Sequence, residues 1–431
     1  MAAPAFAFAR PTHVLAAVAC PESFRLNANR TIIERTISRR DGSSSTTRTS
    51  LETPLRARNP TEDQLAAAAD AIFLRSLEWT TPEASNRSLR LVDLFSGGGL
   101  MTLGIWEACR ALGRQLEPIL AVDTNPFAAQ VYERNFPGAR VSTARVEALL
   151  DGRLGQPPTP AERALIRWLG PIDITVSGPP CQGHSDLNNR TRRLDPRNRL
   201  YARMARFAEI VRPSHLLIEN VGAVQHDRGR VVDRTLAVLD RLGYHVAQGL
   251  AEVSALGVPQ RRRRHIVVAS LHRPPCLERL ALYARGERSV GWAIGDLRKL
   301  EGRTALDTPS RSSAISQRRM RYLFRTGRHD LPDHMRPNCH RLKDHSYKSV
   351  YGRLHWDEPA QTITSGFTCM GQGRYVHPKA PRTITPHEAA RLQFIPDFFQ
   401  FGDVPRTALN EMIANAVPPK LTYVLALELL R

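Results

Sequence analysis

From about residue 89 to residue 269, short apolar runs alternate with stretches of helical periodicity. Few architectures accept that alternation. Strands are predicted over residues 89–95, 118–123, 172–177, 216–219, 244–253 and 265–269, and helices over 101–112, 125–134, 198–211 and 229–241. Strands separated by helices of this length build a mostly parallel sheet covered on both faces, an α/β fold. The polar residues that interrupt the pattern fall in telling places. Asp93, Asp123, Cys181 and Glu219 all sit at or just after the C-terminal end of a strand. In open α/β sheets that edge is where ligands bind.

The rest of the chain is arranged around this block. With 431 residues, 42% of them apolar, there is material for one large domain and a smaller one. Residues 1–60 carry nine Arg against four Asp and Glu and include the run Ser43-Ser44-Ser45-Thr46-Thr47, so a flexible basic arm is expected there. Met1 to Cys20 lacks the basic start of a secretory signal, and no export is expected. Residues 61–88 hold a lead-in helix, with Thr61 placed before Glu62, Asp63 and an alanine run. Past residue 271 the alternation dissolves. Residues 271–350 hold 17 Lys and Arg against eight Asp and Glu, with His272, His329, His334, His340 and His345. Order is expected again from Tyr351, and residues 385–431 contain helical segments around 386–394 and 417–430.

The formal charge of +20 makes a polyanionic partner, DNA or RNA, the expectation. The basic residues are five lysines and 56 arginines, a ratio that fits a GC-rich genome. Arginine abundance by itself therefore says little about base or phosphate recognition. No run approaches the ~18 apolar residues needed to cross a bilayer. The six cysteines are scattered without a CxxC pair, which suits a reducing cytoplasm and indicates neither a zinc ribbon nor a dithiol redox motif.

Five short segments carry chemistry. Asp93-Leu94-Phe95-Ser96-Gly97-Gly98-Gly99 follows a strand, where glycines let the backbone turn tightly and approach a ligand. About 30 residues on, Asp123 ends the next strand, where a carboxylate can bond both hydroxyls of a ribose. Together they read as a nucleoside cofactor pocket, and the lack of a Walker lysine disfavours a nucleotide triphosphate. Ser177-Gly178-Pro179-Pro180-Cys181-Gln182-Gly183 holds a cysteine in a constrained loop instead of an apolar run. A thiol of pKa ~8.5 is only partly ionised at neutral pH and needs activation to act as a nucleophile. A protease or amidase would pair it with a histidine base, and none sits at an evident partner position. Glu219-Asn220-Val221 follows an apolar strand, and Gln260-Arg261-Arg262-Arg263-Arg264 precedes another.

In this order the segments resemble the motifs of the DNA cytosine-5 methyltransferases, bacterial type: Asp-Leu-Phe-Ser-Gly-x-Gly, Pro-Pro-Cys-Gln, Glu-Asn-Val, Gln-x-Arg-x-Arg and the tail Asn415-Ala416-Val417-Pro418-Pro419. The resemblance spans residues 89–431. It extends to Tyr351-Gly352-Arg353-Leu354, Thr362-Ile363-Thr364, His377-Pro378 and Glu388-Ala389-Ala390-Arg391-Leu392-Gln393. Four departures stand out. Leu100 and Ala414 replace usual glycines, His184 replaces a usual phenylalanine, and the usual acidic cofactor contact after the third strand has only Glu147 and Asp151 as candidates.

The resemblance implies a Rossmann-like S-adenosylmethionine-dependent methyltransferase domain over residues 89–270. A smaller target-recognition domain would follow over 271–384, and residues 385–431 would pack back on the catalytic domain. Cys181 would attack C6 of a cytosine flipped out of double-stranded DNA, a rotation that costs a few kcal/mol. Glu219 would hold the N3/N4 edge, which calls for a carboxyl of raised pKa. Arg262 and Arg264 would bracket the cytosine O2, the catalytic loop and the DNA backbone. Phe95, Gly97, Gly99, Asp123 and Asn415 would contact the cofactor. Residues 183–199, with Arg190, Arg192 and Arg193, would close over the DNA. The expected setting is a monomer in the cytoplasm, at the nucleoid, with a cognate restriction endonuclease or defence-system proteins as further partners. Three other readings remain open at this stage: a tRNA cytosine-5 methyltransferase, an inactive DNA-binding relative, and a metal-binding module at His334, Cys339, His340 and His345.

Overall fold

The computed structural model describes residues 19–55, 57–80, 88–180, 200–300, 302–341 and 349–431, the side chains of Cys339 and His340 excepted. It opens with three strands, β1 (Glu22–Leu26), β2 (Ile32–Ser38) and β3 (Ser44–Ser50), followed by helix α1 (Glu62–Arg75). The large sheet is built from β4 (Ser88–Leu94), β5 (Gln115–Val122), β6 (Arg140–Ser142), β7 (Ile174–Ser177), β8 (His215–Asn220), β9 (His245–Glu252) and β11 (Arg263–Ser270). Between them run α2 (Leu100–Ala111), α3 (Pro126–Asn135), α4 (Val146–Leu149), α5 (Pro160–Leu169), α6 (Tyr201–Val211) and α7 (Val231–Arg241). The two-residue strand β10 (Gln260–Arg261) lies just before β11.

The sheet order is β6-β5-β4-β7-β8-β11-β9. Strands β6 to β8 are parallel, whereas β11 runs antiparallel to both β8 and β9. The chain winds outward from β4 in both directions, so the carboxyl ends of β4, β5 and β7 meet at the point where the winding reverses. Alternate residues serve opposite faces, as a pleated strand requires. Leu89, Leu91, Ile174, Val176, Leu217, Ile266 and Val268 share a core with α2. Val92, Leu94, Val122, Leu216, Ile218 and Val267 share another with residues of α6 and α7.

The helices start where local chemistry tells them to. Thr61 with Gln64 and Thr159 with Glu162 form capping boxes for α1 and α5, and the Asn125 side chain caps α3, whose first residue is Pro126. Further along come α8 (Val290–Ile294), α9 (Ala314–Arg325), α10 (Asn338–Arg341), β12 (Ala360–Gln361), α11 (Pro386–Leu392), α12 (Arg406–Asn415) and α13 (Pro419–Leu430). Helix α13 lies against α2, and the two backbones approach at Gly104. A Cβ added there would fall 1.9 Å from Thr422 Oγ1 and 2.2 Å from Pro419 O.

Two sequence expectations need correction. Residues 22–50 are not a flexible arm but an antiparallel sheet of order β1-β2-β3. Ile33 and Ile37 of β2 are fully buried, Ile37 in the same core as α2 and α13. Between them Arg35 points inward and meets Glu107 of α2 at 2.8 Å. Nor does regular order return at Tyr351. Strand β12 is the one strand described between residues 351 and 384, while α9 forms earlier, inside the stretch where order was expected to dissolve. Residues 1–18 lie outside the described part of the chain.

Candidate active site

The first half of the site is the turn from β4 into α2. Phe95 adopts φ 58°, a left-handed conformation rare for an aromatic residue, followed by Gly97 at 52° and Gly99 at 92°. Glycine is required at Gly99 twice over. A Cβ there would also lie 2.8 Å from the rings of Tyr132 and Phe136. The turn is tied to the next strand by Ser96 N–H donating to Val122 O at 3.0 Å and Gly97 N–H donating to the Asp123 carboxylate at 2.8 Å. The other Asp123 oxygen accepts from Asn125 N–H at 2.8 Å. Burial pushes the Asp123 carboxyl up, and the two N–H donors pull it back.

Asp93 lies one layer deeper. It is buried, accepts from the Thr102 hydroxyl at 2.7 Å, and its second oxygen has no partner among the described residues. Burial, helped by the nearby Asp123 charge, pushes its carboxyl up to about 8. Leu100, at a family glycine position, is buried in the same core as Leu103 and Ala128, so the departure fills core.

The second half lies at the ends of β7 and β8. Glu219 is 7% exposed and pairs with Arg264, whose Nε is 2.6 Å from its carboxylate. Burial raises the Glu219 pKa, while Arg264 and Arg262 lower it; the net shift is upward. A Cβ placed on Gly178 would be 3.9 Å from both Glu219 Oε2 and Phe95 O, so the loop leaving β7 runs between the two halves of the site. Asn220 fastens that loop. Its side-chain N–H donates to Pro179 O at 3.1 Å, and its oxygen accepts from Val221 N–H at 2.8 Å. Cys181, His184 and residues 183–199 lie outside the described residues, but the loop that leads to Cys181 is anchored up to Pro180.

Arg262 takes a different place from Arg264. It is 2% exposed, and its guanidinium donates to Ile363 O at 2.9 Å and Ala414 O at 3.0 Å. Beside it, Gln260 donates to the Gln393 side chain at 2.8 Å and accepts from Ile363 N–H at 2.7 Å. Gln393 in turn donates to Ile413 O and Ala414 O. This buried knot joins β10 and Arg262 to Ile363 just after β12, to the cap of α11 and to the end of α12. Gln393 and Asn220 were not singled out by sequence reasoning as residues that build the site. Asn415 is exposed at the end of α12, three residues after Met412, whose sulfur lies 3.6 Å from a Cβ placed on Gly98.

The remaining candidates stand apart. Glu147 pairs with Arg145 at 3.0 Å, and Asp151 accepts from the Thr159 hydroxyl at 2.6 Å. Strand β6 ends at Ser142 and is followed by Thr143 and Ala144, so no carboxylate directly follows it. Among the described residues no group of three His, Cys, Asp or Glu side chains could hold a metal ion; His345 lies outside them, as do the side chains of Cys339 and His340. No described helix is long and apolar enough to cross a membrane.

This geometry has counterparts. The family model for C-5 cytosine-specific DNA methylases matches residues 89–431. The chain is 44% identical over 402 residues to the type II methyltransferase M1.BsuMI of Bacillus subtilis (strain 168), covering 93% of each. It is 30% identical over 349 residues to the type II methylase M.HgiDII of Herpetosiphon aurantiacus, covering 78% of this chain and 93% of the relative. Among solved structures, the fold is similar to Dnmt2 methyltransferase of S. pombe, with TM-score 0.51, 18% identity, and 80% and 98% of the two chains covered. At that identity the likeness speaks for the fold alone.

Proposed function

The chain belongs to the C-5 cytosine-specific DNA methylase family and is a DNA cytosine-5 methyltransferase; we propose that it modifies one cytosine within a specific duplex sequence through a covalent Cys181 adduct, as the type II modification enzyme of a restriction-modification system in the cytoplasm. The observation that carries the residue assignment is the buried Glu219–Arg264 pair beside Gly178, with the Pro179 carbonyl held by Asn220.

Carbon 5 of cytosine is a weak nucleophile, and the protein's task is to enrich it. Cys181, as thiolate, adds to C6 of the flipped base and drives electron density to C5. Glu219, whose pKa is raised by burial against the pull of Arg264 and Arg262, is the group that delivers a proton toward N3 as negative charge develops there. Arg264 holds Glu219 in register and is the arginine assigned to the exocyclic O2 of the base. Arg262 is a positioning residue, which fixes the start of β11 against the second region of the molecule. Loss of the C5 proton then expels the thiolate and leaves 5-methylcytosine.

The turn and carboxylate fit S-adenosylmethionine. Gly97 has open space where a Cβ would stand and leaves room for close backbone approach, Gly99 seats the turn against Tyr132 and Phe136, Phe95 is partly exposed at the sheet edge, and Asp123 presents a carboxylate where a ribose would lie. When bound, that cofactor supplies an electrophilic methyl group. Asn415, exposed at the end of α12, completes the proposed contact set.

A duplex carrying 5-fluorocytosine at the target tests the reading. Fluorine blocks the final elimination, so a denaturation-resistant protein–DNA complex dependent on S-adenosylmethionine is expected. Methylation of the unsubstituted duplex with no such complex would remove Cys181 from the mechanism. Methylation of a tRNA in preference to duplex DNA would overturn the substrate.

A further inference from the structure

Helix α9 is a strongly basic element of the region over residues 290–384. Its 12 residues, AISQRRMRYLFR, contain four arginines and no carboxylate. One side is committed to packing. Met320 and Leu323 are buried against Leu331, Met370 and Val376. Arg319 belongs to this side too, donating to Met335 O at 2.8 Å and lying over the Tyr351 ring. The opposite side carries Ile315, Arg318, Arg321 and Arg325 at spacings of three and four, and all four residues are exposed. Those spacings align them in one stripe. An open groove of about 1100 Å³ runs alongside, bounded across from the helix by His334 and Met335, with no carboxylate in its lining.

The helix is also wired to the catalytic edge. Val376, under α9, exchanges backbone bonds with Gly352 and Leu354. The neighbouring Tyr375 hydroxyl donates to Thr362 O at 2.9 Å and contacts the Thr364 hydroxyl. Ile363, between those threonines, accepts from Arg262, two residues before the partner of Glu219. The stripe is thus carried on a frame that begins at the start of β11.

We propose that α9 is the sequence-reading element, laid in the DNA major groove with Arg318, Arg321 and Arg325 on guanines, so that the substrate is a duplex with G·C pairs clustered beside the target cytosine. The inference rests on the DNA reading above. An α-helix fits the major groove, and a bidentate arginine on guanine O6 and N7 is the commonest specific contact there. Helical rise puts Arg318 and Arg325 about 10 Å apart along the axis, roughly three base-pair steps. Ile315, 64% exposed at the start of the stripe, offers an apolar contact to a thymine methyl. Charge complementarity commits the surface to nucleic acid: among the described residues, neither the helix nor the groove wall supplies a carboxylate to the arginine stripe.

Wild-type enzyme is first given a randomised duplex library, and methylated contexts are read by bisulfite sequencing. Arg318→Ala, Arg321→Ala and Arg325→Ala follow, with the corresponding Lys variants and a thermal melt as a fold control. Each Ala variant is expected to lose about tenfold or more in kcat/KM on the preferred duplex and to relax preference at one G·C pair. The Lys variants keep the charge but lose the planar fork, so they should relax preference with less loss of affinity. Three results overturn the proposal: a preferred context without guanines, variants within twofold of wild type in rate and context, or a uniform loss on every sequence with a shallower salt dependence, which marks phosphate contacts. Absence of wild-type methylation on any duplex would instead bring down the functional reading, and this inference with it.

Discussion

The carboxyl edge of the large sheet and the region over residues 290–384 are held together by different chemistry. At the edge, backbone ladders hold the strands, and a few polar side chains, Asp123 and Asn220 among them, fix the turns that leave the strands. In the second region strands are nearly absent among the described residues, and side chains satisfy the carbonyls instead. Arg262 bonds Ile363 O, Arg374 bonds His329 O and Arg353 O, Tyr375 bonds Thr362 O, and Arg391 bonds Ala293 O. A guanidinium with five donors can replace a neighbouring strand without imposing a register. The contrast teaches that the edge is constrained residue by residue, whereas the second region is constrained at a few fastenings with variable surface between them.

Substitutions should break the two regions in different ways. Cys181→Ala should reduce methyl transfer by about 10⁴-fold or more while cofactor binding and the melting temperature stay near wild type. Tritium transfer from labelled S-adenosylmethionine measures it, and substantial residual turnover would refute the covalent step. Asn220→Ala releases the Pro179 carbonyl without touching the substrate. The expected loss is about 10–100-fold in kcat with a smaller change in KM, because the nucleophile's loop is misplaced. An unchanged kcat would mean the bond does not position Cys181.

Arg262→Ala should act on the fastening. It removes the side-chain donor to Ile363 O and leaves Ala414 O to Gln393 alone, for a stability loss of about 2 kcal/mol. Chemical denaturation should register the loss even where kcat on a short duplex holds up. A variant as stable as wild type would show that the knot around Gln260 and Gln393 is sufficient alone.

The histidines sharpen the contrast with a sign. His265, in the sheet, is held neutral by burial, with its pKa pushed down to about 4. The unfolded chain takes up that proton first as pH falls from about 6.5 towards 4, so stability drops through this window, by up to about 3 kcal/mol for this group. His387, in α11, bonds Asp307 at 2.7 Å and Asp397 at 2.9 Å. Burial opposes its charge, but bonds to the two carboxylates prevail and raise its pKa. Its contribution is complete below the unfolded value and fades as pH rises through the folded one. His265→Gln should therefore reduce the acid-side loss, and His387→Gln should cost more at pH 6 than at pH 9. Melting temperatures across pH test both, and equal effects at both pH values would refute the assignment.

The sheet and its edge were legible because strand alternation, the glycine turn and the Glu-Asn-Val segment are local patterns. The expected strand over 118–123 in fact begins at Gln115, since its first turns are half-exposed and polar. The β1–β3 sheet was hidden for a physical reason. Strand β3, SSTTRTS, has no apolar residue, and the inward row of β2 reads Ile33, Arg35, Ile37, with an arginine whose partner Glu107 lies on another element. Arg262 and Arg264 share a face by the two-residue period, which the sequence did contain. What it lacked was depth: one guanidinium ends in the interior and the other at the site, a distinction set by Ile363 and Ala414, more than 100 residues away.

The Asn220 bond to Pro179 has a mechanical consequence. Glu219 and the tether for the Cys181 loop are adjacent residues of one strand. When β8 shifts or breathes, the proton donor and the nucleophile's loop travel in step, like two jaws machined on one block. The glycine turn is mounted separately, on β4 and β5, and carries no such tether. On the proposed mechanism, the strand that carries Glu219 therefore also fixes the approach to Cys181, while the cofactor turn is positioned by other strands.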